Sequence, residues 1–89
     1  MAEAFVYRFE GAVPMEEVRD SLLLAALAAE GLHGATRVRL EARFALDPEE
    51  RSVRIAATNG VGRDLARIFT GLLSQQFGEG GFSVEAETP

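Results

Sequence analysis

The chain has 89 residues, of which 47% are apolar, which suits one folded domain and argues against disorder. It has no cysteine, which excludes disulfides, zinc–thiolate sites, iron–sulfur clusters and thiol chemistry. Its net charge of −5 opposes nonspecific binding to nucleic acid or to anionic lipid, both of which need a basic surface.

The first segment, Ala4 to Gly11, alternates as a strand: Phe5, Tyr7 and Phe9 share one side, Val6, Arg8 and Glu10 the other. The aromatic side is the better core face. Pro14 then suits the first turn of a helix, and Glu16 and Glu17 favour its positive end. This helix is expected over Pro14 to Glu30, with a stop at Gly31 or Gly34. Met15, Val18, Leu22, Ala25, Ala26 and Ala29 form its buried face. Leu23, Leu24 and Leu27 fall outside that face, so the helix is more apolar than one buried side requires.

Thr36 to Leu46 reads as a second strand, with Val38, Leu40, Ala42, Phe44 and Leu46 alternating against Arg37, Arg39, Glu41, Arg43 and Ala45. Asp47-Pro48-Glu49-Glu50 is a turn that joins it to a third strand, Arg51 to Thr58, as an antiparallel hairpin. Asn59-Gly60-Val61-Gly62 turns the chain into a second helix ending at Phe77. That helix carries a stripe of Val61, Leu65, Ile68, Phe69, Leu72, Leu73 and Gln76, with Arg63, Arg67, Thr70 and Ser74 opposite. Phe82 to Glu87 is a last strand with Phe82, Val84 and Ala86 inward. Ile55, Leu65, Ile68, Phe69, Leu40 and Phe44 are the expected core.

The order strand–helix–strand, strand–helix–strand fits an α+β ferredoxin-like βαββαβ two-layer sandwich spanning residues 1–89 as a single domain: a four-stranded antiparallel sheet with two helices on one face. Such a fold carries no function by itself. The longest apolar run, Leu22 to Ala29, is far shorter than the ~20 residues of a membrane span. Glu3 stands where a signal peptide would be basic. The expectation is a cytoplasmic protein that meets neither membrane nor nucleic acid.

Three constellations are candidates for function. Asn59, Gly60, Gly62 and Arg63 resemble an anion cradle at a helix N-terminus, set against the structural reading that Asn59 caps the helix and the glycines only turn the chain. The outward sheet face is expected to carry Arg8, Arg37, Arg39, Arg43 and Arg54, with Glu10 and Glu41, and with Glu85 and Glu87 toward the opposite edge; it could pair with a second copy. Leu23 and Leu27, with Leu24, offer a rival interface or else pack against the second helix or under a loop. The lone histidine, His33, has no second histidine or cysteine with which to build a metal site, and no cofactor motif is present. Nor do the motifs of known functions on this fold appear: the outward strand positions lack the stacking aromatics of an RNA-recognition module, and the loop after the first strand has neither a Cys-x-x-Cys pair nor an arginine.

The functional expectation is a small non-catalytic binding or assembly module, a homo-oligomer or the partner of another protein. The alternative is an anion-binding protein or enzyme that uses the Asn59–Arg63 turn and the arginines of the sheet.

Overall fold

The structure, a computed structural model, describes residues 2–88. Four strands form one open antiparallel sheet in the order β2-β3-β1-β4: β1 (Ala4–Phe9), β2 (Phe44–Asp47), β3 (Ser52–Ala56) and β4 (Phe82–Glu87). Three α-helices, α1 (Met15–His33), α2 (Ala35–Glu41) and α3 (Gly60–Phe77), and a 3-10 turn at Glu79–Gly81 complete the described elements.

The register explains the core. Tyr7 lies between Val53 and Val84, and Phe5 between Ile55 and Ala86, so the strands turn one common side inward. Tyr7, Phe9, Val53 and Ile55 meet Val18, Leu22 and Ala25 of α1 and Leu65, Ala66, Phe69 and Leu73 of α3 in one buried cluster. Tyr7 and Phe69 stack edge to face, with ring centroids 4.9 Å apart. Ile55, Leu65 and Phe69 are fully buried as the sequence implies, and Ile68 is half-buried.

α1 follows Pro14 and stops at Gly34, the second of the two glycines the sequence offers. Gly34 has φ 88°, a conformation glycine adopts without steric cost. The chain then turns straight into α2, and this corrects the reading of Thr36 to Leu46 as one strand. Only Phe44–Asp47 is strand; Ala35–Glu41 is helical. Val38 and Ala42, four apart, are inward at helical as well as at strand spacing. The two periods part at Leu40, which the helix leaves 66% exposed. Arg37 pairs with Glu41 at 2.8 Å along the helix, and Arg, Leu, Glu and Ala all favour that conformation. Phe44, on the short edge strand, is 39% exposed, so neither Leu40 nor Phe44 belongs to the core. The expected two helices are therefore three.

The β2–β3 turn is fixed from both sides. Asp47 accepts hydrogen bonds from the backbone N–H groups of Glu49 and Glu50 at 3.1 and 3.2 Å. Arg51 takes φ 51° and sends its guanidinium to the carbonyls of Phe9, Glu10 and Val13, tying the turn to the loop between β1 and α1.

Candidate functional site

The turn before α3 is built as a cap. Asn59 is extended, and its side-chain oxygen accepts the N–H of Gly62 at 2.8 Å. Its amide nitrogen donates to the Glu41 carbonyl at 3.0 Å, joining the end of α2 to the start of α3. Gly62 is buried where α3 crosses β3, and neither Gly60 nor Gly62 has positive φ. Arg63 folds back to within 3.5 Å of the Ala57 carbonyl oxygen. The four residues are thus neighbours, and the local geometry accounts for Asn59 and Gly62 by capping and close packing.

The outward sheet face differs from its expected composition. Arg37, Arg39 and Glu41 lie on α2, not on a strand. Glu10 follows β1, and Arg43 precedes β2, where it shares a shallow hollow with Phe44, Ala45 and Arg54. Strand positions on that face retain Arg8 and Arg54 against Asp47, Glu85 and Glu87. Arg54 and Glu87 meet at 3.0 Å, reaching across the intervening strand β1. Glu87, a charge of the face that could pair with a second copy, is thus paired within one chain. Expected to separate by sign, Arg54 and Glu87 instead satisfy each other.

Leu23, Leu24 and Leu27 do not pack under α3 or a loop. They are 55%, 53% and 61% exposed. Leu23 and Leu27 are four apart and Leu24 and Leu27 three apart, so the three form one stripe on α1. Glu16 and Asp20 extend that stripe toward the helix N-terminus, each four residues before the next position of the row that ends at Leu24.

A third feature escapes sequence reasoning. Phe82, Val84 and Ala86 share the inner side of the sheet, but the helices stop short of β4, and Val84 is 42% exposed. The space between β4 and α3 is a cleft of about 460 Å³. Phe5, Tyr7 and Val84 form its floor; Arg63, Ala66, Arg67 and Thr70 form its wall. Arg63, Arg67 and Thr70 stand at i, i+4 and i+7, a single line along the helix that sequence alone assigns to solvent. The Tyr7 hydroxyl reaches the Ala66 carbonyl at 3.1 Å and Thr70 Oγ1 at 2.8 Å, while Thr70 donates to the same carbonyl at 2.7 Å. Burial raises the Tyr7 phenol above its ordinary value, and the Thr70 hydrogen bond works against that rise.

His33 is more specifically placed than a surface histidine. Its Nε2 lies 2.8 Å from Asp64 Oδ2, joining the last turn of α1 to the first turns of α3. Among the described residues no group of three or more histidine, aspartate or glutamate side chains stands ready to hold a metal ion. No described helix is long and apolar enough to cross a membrane. No known protein family, curated protein or solved structure matches the chain.

Proposed function

We propose that the chain is a small non-catalytic association module that pairs with a second copy of itself through the leucine stripe of α1. The observation that carries this reading is the exposure of Leu23, Leu24 and Leu27 on a helix whose opposite face already fills the core. An amphipathic helix needs one apolar face; this one has a second, on the side away from the sheet. A twofold axis across Leu27 sets two α1 helices antiparallel, leucine against leucine.

The same reading takes the fold as a ferredoxin-like variant. Support comes from the strand order and from α1 and α3, each of which follows a central strand. The helical first half of the expected second strand is the variation. The absence of cysteine supports a place of work in a reducing compartment such as the cytoplasm.

The strength of such a dimer can be bounded. Burying an exposed leucine completely contributes about 1.5–3 kcal/mol, and these are already partly covered, so six of them contribute roughly 6 kcal/mol. Association costs about 4–15 kcal/mol. Leucine burial alone therefore leaves at most about 2 kcal/mol, and a dimer visible at high micromolar concentration needs about 4–6 kcal/mol, so apolar contacts around the stripe must supply the rest. Light scattering across that range should show mass rising toward twice 9.6 kDa for the wild type and staying at 9.6 kDa for Leu27→Glu. A wild type that stays monomeric throughout would sink the reading.

A further inference from the structure

We propose that the cleft between β4 and α3 is a binding site for a small amphipathic carboxylate, with the acid on Arg67 and Arg63 and the apolar body over Phe5 and Val84. The proposal is independent of how α1 associates. Four observations lead to it.

First, the cleft has the size of a ligand site: about 460 Å³ falls within the range of ~300–1,000 Å³ that small-molecule pockets occupy. Second, its floor is apolar and left partly open by the fold itself, since Val84 faces the inner side of the sheet and is still 42% exposed. Third, two guanidinium groups stand one helical turn apart on the wall. Like charges at that spacing repel, and among the described residues neither arginine forms an ion pair. Seven of the nine arginines, these two among them, form no ion pair among the described residues; Arg63 and Arg67 are set apart by sharing a wall above an open apolar floor. Fourth, the other polar groups of the wall are occupied. The Tyr7 and Thr70 hydroxyls are engaged with each other and with the Ala66 carbonyl. Recognition of a ligand's polar end therefore falls to the arginines, which suit a planar carboxylate. The complementary ligand is acidic at one end and hydrocarbon at the other.

The test is an amide chemical-shift titration with octanoate, with 1-octanol as the chain lacking the acid and inorganic phosphate as an anion lacking the chain. Octanoate at millimolar concentration should move the amides of Phe5, Ala66, Arg67, Thr70 and Val84 together, and each of the other two should bind more weakly. Arg67→Gln, a change at an exposed position, should weaken octanoate about tenfold, the share of a charge-assisted hydrogen bond. Val84→Asp should weaken it through the floor while leaving the fold intact. The proposal is overturned if octanoate moves no amides in the cleft or if 1-octanol binds as tightly as octanoate. It is equally overturned if phosphate reproduces the full effect, or if the shifts centre on Leu23 to Leu27. Shifts in the cleft that track protein concentration without octanoate would assign it to a second copy and also overturn the proposal.

Discussion

Gly62 stands so close to Ala56 that a Cβ on it would lie 2.0 Å from the Ala56 carbonyl oxygen. The obstacle is backbone at the end of β3, which cannot swing aside as a side chain would. This contact sets how closely the start of α3 approaches the end of β3. Gly62→Ala should force the helix away and cost about 1–3 kcal/mol, or more, which lowers the melting temperature by about 4–8 °C per kcal/mol in a domain of this size. Gly60→Ala is the control: its Cβ would meet nothing closer than the Arg63 side chain at 4.0 Å. It should leave stability unchanged or raise it slightly, as alanine in place of glycine does at a compatible position. Thermal melts of the two variants check the pair.

The helical assignment of Ala35–Glu41 makes a sharp mutational prediction. Phe69→Ala, which empties the centre of the core, should cost about 3–5 kcal/mol. Leu40→Ala should stay within about 0.5 kcal/mol of wild type, since the side chain is mostly in water. If urea denaturation finds Leu40→Ala as costly as a core truncation, the segment is the strand its alternation suggests.

The contrast between these residues also shows what a sequence can carry. β1, β3 and α3 are legible because each has several inward residues, and a period of 2 or of 3.6 needs several repeats before the two diverge. α2 is not legible because it has only seven residues and buries one of them, Val38. With so few inward positions, the alternation of Thr36 to Leu46 imitates a strand. The Asn59 cap is legible because it is local. The cleft is not, since it depends on which strand ends at the edge of the sheet and how far α3 reaches over it. Nor is the Arg54–Glu87 pair, whose partners are 33 residues apart and meet only once β1 lies between their strands.

Tyr7 should give the protein an alkaline limit. Burial raises its phenol above the ordinary value of 10.0, against the effect of the Thr70 hydrogen bond. The unfolded chain therefore releases this proton at lower pH than the folded one. Its contribution to stability is fully present below pH 10, declines above it, and is lost as the pH rises through the folded value. Melting temperatures measured from pH 9 upward should fall more steeply for wild type than for Tyr7→Phe. Below that range Tyr7→Phe should be the less stable protein by about 1 kcal/mol, for the lost hydrogen bond. Equal slopes for the two proteins would mean that Tyr7 ionises freely in the folded state.

Salt distinguishes the two surfaces on which copies of the chain could meet. An interface on the outer sheet face would rest on arginines and glutamates, and ionic strength would weaken it, because screening acts over about 10 Å at 0.1 M and about 3 Å at 1 M. The leucine stripe of α1 would persist, since apolar burial is not screened. The internal Arg54–Glu87 pair favours the second case: it occupies charges that a sheet-to-sheet dimer would need. The pair itself is exposed, and such pairs contribute about 0–1 kcal/mol, so Arg54→Ala should change stability little. The expected result is therefore a dimer whose mass at a fixed high micromolar concentration is unchanged by added salt and by Arg54→Ala, and halved by Leu27→Glu. Sedimentation of the three proteins at low and high salt measures this directly. A dimer that dissociates in salt and in Arg54→Ala, yet survives Leu27→Glu, would move the interface from α1 to the sheet.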